Sequence, residues 1–129
     1  MNYAQLINLA LQARENAYAP YSRFKVGAAL LAASGRVYTG CNIENVAFSP
    51  SVCAERTAIF KAISEGEREF LAIAIVTQTG IPPCGVCRQV MMEFAPDITI
   101  IIANLEGDYH ITTLGELLPH AFMPPQLPR

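Results

Sequence analysis

The sequence predicts an α/β fold, a three-layer α/β/α sandwich around one mixed five-stranded sheet. Segments with apolar residues at helical spacing alternate along the chain with β-rich runs. Two of those runs, 71–76 (Leu-Ala-Ile-Ala-Ile-Val) and 98–102 (Ile-Thr-Ile-Ile-Ile), are almost wholly apolar, the pattern of strands covered on both faces. A third observation is the tight turn Ala33-Ser34-Gly35-Arg36 between two further runs, which marks a hairpin. Strands buried on both sides require helical layers above and below them.

The first helix is expected over residues 3–18, where Leu6, Ile7, Ala10, Leu11 and Ala17 form one stripe, Asn2 caps the start and Pro20 closes the end. Runs 24–33 and 36–43 make the hairpin. A second helix fits Cys53 to Ser64, apolar at Ala54, Ala58, Ile59, Ala62 and Ile63, with Gly66 beyond its end. After the strand at 71–76, Pro82-Pro83 leads into a third helix from Cys84 to Phe94, stopped before Pro96. The strand at 98–102 follows, then Gly107-Asp108 and a short strand over 109–112. A last helical turn at 114–118 runs into a Pro-rich tail, 119–129, expected to fray. The segment from the second helix to the strand at 98–102 contains strand–helix–strand units, which call for right-handed crossovers.

With 129 residues, the chain is expected to be a single domain, 1–129. Hydrophobic residues make up 52% and charged ones 16%, which rules out whole-chain disorder and suggests that some outer surface is covered by other subunits. A net charge of −2 offers no basic field for a nucleic-acid polymer. No run approaches the ~20 apolar residues of a membrane span. Asn2, Gln5, Asn8, Gln12 and Arg14 break up the N-terminal segment, so no export signal is expected, and the predicted location is cytoplasmic. There the four cysteines, Cys41, Cys53, Cys84 and Cys87, serve as thiols or metal ligands rather than disulfides.

Two segments carry chemistry: Cys53-Ala54-Glu55-Arg56 and Pro83-Cys84-Gly85-Val86-Cys87-Arg88-Gln89. Cys84 and Cys87 are three apart at a helix start and share a face, and Cys53 also begins a helix. Helix N-termini favour thiolates. Three thiolates would hold a Zn²⁺ ion and leave its fourth position open, as a catalytic site requires. Taken alone, Cys84-x-x-Cys87 also suits a redox dithiol, or half of a structural zinc site completed by Cys41, His110 or His120. Glu55, two residues after Cys53, weighs against both, because a general base belongs beside an activated water.

These segments resemble the zinc nucleobase deaminases, whose signature is Cys-or-His, x, Glu followed by Pro-Cys-x-x-Cys. Over nearly its full length the chain is similar to the small cytidine deaminases. The similarity takes in Tyr18-Ala19-Pro20-Tyr21-Ser22-Arg23-Phe24-Lys25-Val26-Gly27-Ala28-Ala29, Gly40-Cys41-Asn42-Ile43-Glu44-Asn45 and Leu117-Leu118-Pro119-His120-Ala121-Phe122. The resemblance implies hydrolytic deamination of cytidine and 2′-deoxycytidine in pyrimidine salvage, with one Zn²⁺ per chain held by Cys53, Cys84 and Cys87. It implies that Glu55 moves the water proton to N3 of the base and then assists loss of ammonia. Asn42 and Glu44 would hold the ribose 3′-hydroxyl, Phe24 would pack on the nucleoside, and the backbone of Ala54 would bond the base. Arg56 would hydrogen-bond the ligand sulfurs and offset the formal −1 to which three thiolates and one Zn²⁺ sum. Phe122 would enter a neighbouring subunit's pocket in a homotetramer. Two departures from the family pattern stand out: Phe48 replaces a common tyrosine, and the loop before Pro83 is shortened.

Without the resemblance, Asn42 and Glu44 read as polar residues solvating a strand end and Phe24 as a core aromatic, while a surface helical arginine is only the competing reading of Arg56. Cys41 reads as a small apolar strand residue, His110 and His120 as solvent-facing or structural, and Met91-Met92 as core. Competing functions are a zinc deaminase of another substrate and a non-catalytic zinc-binding domain.

Overall fold

A computed structural model describes residues 1–124, in which the expected elements form in the expected order. They are α1 (Tyr3–Arg14), β1 (Gly27–Ala32), β2 (Val37–Cys41), α2 (Ala54–Ser64), β3 (Phe70–Val76), α3 (Gly85–Phe94), β4 (Thr99–Ala103), β5 (Tyr109–Thr113) and α4 (Leu114–Leu117). The strands form one sheet in the order β2-β1-β3-β4-β5. β3 and β4 run parallel across the α3 crossover, and every other neighbouring pair is antiparallel, so the sheet is mixed.

Alternation along β3 explains its apolar run. Ala72, Ala74 and Val76 face α1, packing with Leu6, Ile7, Ala10, Ala29 and Ile101. Ile73 and Ile75 face the opposite way, into a larger core with Leu30, Ala58, Ile59, Met91, Ile100 and Ile102 under α2 and α3. Each layer buries one side of every central strand. Asn2 caps α1 through a reciprocal pair of bonds with Gln5, as its position suggested.

Gly40 sets the contact that matters most for the site. A Cβ there would lie 2.5 Å from the Ala54 carbonyl oxygen and 2.6 Å from the Ala58 nitrogen. The first turn of α2 therefore rests directly on β2.

Two expectations need correction. The first helix ends at Arg14 rather than near residue 18, because Tyr18 pairs instead with the end of β2: its N–H donates to the Asn42 carbonyl and its carbonyl accepts from Glu44 N–H. Residues 24–26 are not strand, because the Asn42 side chain takes their hydrogen bonds, accepting from Val26 N–H and donating to the Phe24 carbonyl. Within the tail expected to fray, residues 121–123 make contacts with the body of the protein. Gln89 donates to the Phe122 carbonyl at 2.8 Å, and Ala121 and Met123 pack on the larger core. The remainder of that tail, 125–129, lies outside the described residues.

Candidate functional site

β2 and β3 are both antiparallel to β1, so their carboxyl ends open on the same edge of the sheet. α2 and α3 begin there. Cys53 is the N-cap of α2 and Cys84 the N-cap of α3, each with extended backbone, and Cys87 lies in the first turn of α3. The two helix starts bring the three sulfurs within 4.8 Å of one another. Cys53 Sγ and Cys84 Sγ are 3.7 Å apart. Tetrahedral zinc with Zn–S bonds of about 2.3 Å places its sulfurs about 3.8 Å apart, so the donor set fits that ion.

Among the described residues, no fourth histidine, cysteine or carboxylate joins the cluster. Cys41 at the end of β2, His110 on β5 and His120 beyond α4 are not part of it, which disposes of a structural site completed by any of them. Both histidines are exposed.

Hydrogen bonding organises the thiols before any metal is considered. A hydrogen bond from Cys87, with help from Arg56 and Cys84, pulls the Cys53 thiol down despite its burial. The same bond, with burial, pushes the Cys87 thiol up. The cluster thus already stabilises a negative charge on sulfur. Arg56 Nη2 donates to Cys53 Sγ at 3.4 Å. Burial alone would lower the Arg56 pKa, but its bonds to Cys53 and Cys87 outweigh burial and keep the guanidinium firmly charged. Its Nε is buried and has no hydrogen-bond partner among the described residues. The half-buried guanidinium thus lies against the Cys53 sulfur.

Glu55 occupies the first turn of α2 and is 4% exposed. Burial, reinforced by the negative charge of Cys53, raises its carboxyl to about 7. Three thiolates and a Zn²⁺ ion also sum to −1, so metal binding leaves a negative charge beside it. A carboxyl poised near neutrality can both take and give a proton.

The cluster opens into a cavity of about 470 Å³, within the size range of small-molecule sites. Phe24, Asn42, Glu44, Cys53, Glu55, Arg56 and Cys84 all line it. Glu44 accepts from Tyr21 N–H at 3.0 Å and Ser22 N–H at 3.1 Å, and from the Ser22 hydroxyl. Those Ser22 bonds hold its carboxyl below the usual range, so it stays anionic. Ala54, fully buried, lies behind the wall as the first residue of α2, where its N–H has no acceptor within the helix. Phe122 does not line the cavity of its own chain and is 58% exposed. Phe48 is 73% exposed, its ring edge-on to Tyr21.

Ser22, Val26, Ser51, Val52, Ile75, Thr77, Ile81 and Pro82 complete the lining and were not singled out from the sequence. Of these only Thr77 carried a signal, a polar residue directly after an apolar run and three before a glycine.

The family model for the cytidine and deoxycytidylate deaminase zinc-binding region matches residues 1–103. The chain belongs to the cytidine and deoxycytidylate deaminase family. It is 55% identical to a cytidine deaminase of Halalkalibacterium halodurans over 95% of both chains. The crystal structure of a cytidine deaminase from Burkholderia pseudomallei superposes with a TM-score of 0.92 at 51% identity, covering 95% of this chain and all of that one. That from Mycobacterium tuberculosis gives 0.83 at 41%, covering 95% and 98%. Membership in this deaminase family accounts for the three-sulfur cluster, which suits one zinc ion per chain. The chain is thus a zinc-dependent hydrolytic deaminase. Among the described residues no helix is long and apolar enough to cross a membrane.

Proposed function

We propose that this deaminase converts cytidine and 2′-deoxycytidine to uridine and 2′-deoxyuridine with release of ammonia, as a cytoplasmic homotetramer serving pyrimidine salvage. The observation that carries the reading is the Glu55 carboxyl, buried and near neutral, on the wall of the cavity into which Cys53 and Cys84 face.

When bound by Cys53, Cys84 and Cys87, zinc supplies the Lewis acidity that makes water nucleophilic near neutral pH. Glu55 accepts a proton from the attacking water and passes it to N3 of the base, while a C4–O bond forms. It then carries the second water proton to the amino group. The C4–N bond breaks, ammonia leaves, and C4 keeps a carbonyl oxygen. Arg56 holds negative charge on the sulfurs throughout. The Ala54 N–H is free to bond the base.

At the sugar end, a carboxylate offers about four acceptor positions, of which Glu44 uses three within the protein, leaving one for a hydroxyl. The Asn42 amide has a second N–H beyond the one given to Phe24. Both side chains thus brace the 21–26 segment and retain capacity for the 3′-hydroxyl. Phe24 lies against the nucleoside. Exposure of Phe122 suits insertion into a neighbouring subunit's pocket.

The test is to incubate the purified protein with cytidine, deoxycytidine, cytosine and dCMP, following ultraviolet change and ammonia while measuring zinc on the same sample. Both nucleosides should be converted at one zinc per chain. No ammonia from any of the four with zinc present would defeat the proposal, and exclusive use of dCMP or cytosine would replace its substrate.

A further inference from the structure

Thr77 is the first residue beyond β3 and is 1% exposed. Its N–H donates to the Ala103 carbonyl at 3.2 Å, so its backbone is still anchored to the sheet. Its hydroxyl oxygen accepts two loop amides, Gly80 N–H at 2.8 Å and Ile81 N–H at 3.0 Å. Pro82 and Pro83 have no N–H to give, so Gly80 and Ile81 are the last backbone donors before Cys84. Both end on one buried oxygen. The same short loop is held independently at its far end, where Arg88 Nε donates to the Pro83 carbonyl at 2.8 Å and Arg88 Nη1 to the Leu117 carbonyl at 2.8 Å.

Thr77, Ile81 and Pro82 all line the cavity. We propose that Thr77 is a positioning residue for substrate: its hydroxyl sets where Ile81 and Pro82 stand, and so fixes one wall of the nucleoside site. Cys84 is secured separately, as the cap of α3 and by the Arg88 bond to the residue before it. Loosening the Thr77 end therefore moves the wall and spares the metal cluster. This rests on the nucleoside reading above.

The test compares Thr77→Val, which keeps the shape and deletes the acceptor, with Thr77→Ser, which keeps the acceptor, and Thr77→Cys, which weakens it. For Thr77→Val, KM for cytidine should rise about tenfold and Kd for the product uridine likewise, with kcat within about threefold and zinc still at one per chain. Thr77→Ser should stay within about twofold of wild type, and Thr77→Cys should fall between the other two. If Thr77→Val does not fold, the Ser and Cys pair still reads the order. Unchanged KM and Kd in the Val or Cys variant, whatever the change in melting temperature, overturn the proposal, as does a Ser variant as impaired as the Val one. A wild type that holds zinc yet neither binds nor deaminates nucleosides would instead remove the reading beneath it, and the wall assignment with it.

Discussion

Replacement of Glu55 by glutamine is expected to lower kcat for cytidine by about 10²–10⁴-fold, the range carried by a positioned proton-transfer group, while zinc content stays at one per chain. The amide fills the same space but cannot take the water proton. The substitution should also remove a stability cost. The Glu55 carboxyl ordinarily titrates at 4.5 and is raised to about 7 in the folded protein, chiefly by burial. Between those values the folded state binds more protons than the unfolded one, so stability falls as pH rises through that window and is level on either side. At 1.36 kcal/mol per pKa unit the loss is on the order of 3 kcal/mol. At matched metal loading, Glu55→Gln should gain on wild type by that order between pH 4.5 and 7 and hold the gain above it. A glutamine variant with near-normal turnover would show that Glu55 is not the proton carrier, and a stability difference flat across that range would show that its carboxyl is not raised by burial.

Gly40→Ala should damage the site from a position that touches no substrate. The added methyl would lie 2.5 Å from the Ala54 carbonyl oxygen, 2.6 Å from the Ala58 nitrogen and 2.9 Å from Thr57 Cβ. Two of the three are backbone, so no side chain can swing aside, and the start of α2 must lift from β2. That turn carries Cys53, Glu55 and Arg56 together. Overpacking of this kind costs about 1–3 kcal/mol, and a shift of about 1 Å at reacting groups can cost 10²-fold in rate. The expected result is a lower melting temperature, weakened zinc retention and kcat down by about 10²-fold. A Gly40→Ala protein that keeps full zinc and full turnover would mean that α2 is not held in register by that contact.

The metal cluster was legible because its chemistry is local. Two cysteines three apart, and a Cys-Ala-Glu run at a second helix start, keep their meaning whatever the rest of the chain does. The layers were legible too, since β3 alternates between two buried faces and must be apolar throughout. What pattern could not supply were pairings between distant segments. The side chains of Asn42 and Glu44 hold the 21–26 segment as well as lining the cavity, and that dual use appears only when residues some twenty positions apart meet. The overlong first helix and first strand have the same origin, since Tyr18, Phe24 and Val26 satisfy their backbones on the end of β2. The Phe122 carbonyl likewise meets Gln89, far away in sequence. Thr77 announced itself weakly, because a lone threonine after a strand says nothing of the two amides it will collect.

X-ray absorption at the zinc edge, on protein loaded with one ion per chain, tests most directly that three sulfurs hold the metal with one position free. The spectrum should give three sulfurs at about 2.3 Å and a single lighter atom at about 2.0 Å, and that lighter atom should exchange when a nucleoside analogue carrying a hydroxyl at C4 is added. Four sulfurs, or a histidine nitrogen unmoved by the analogue, would mean a closed structural site and contradict the catalytic role given to Glu55.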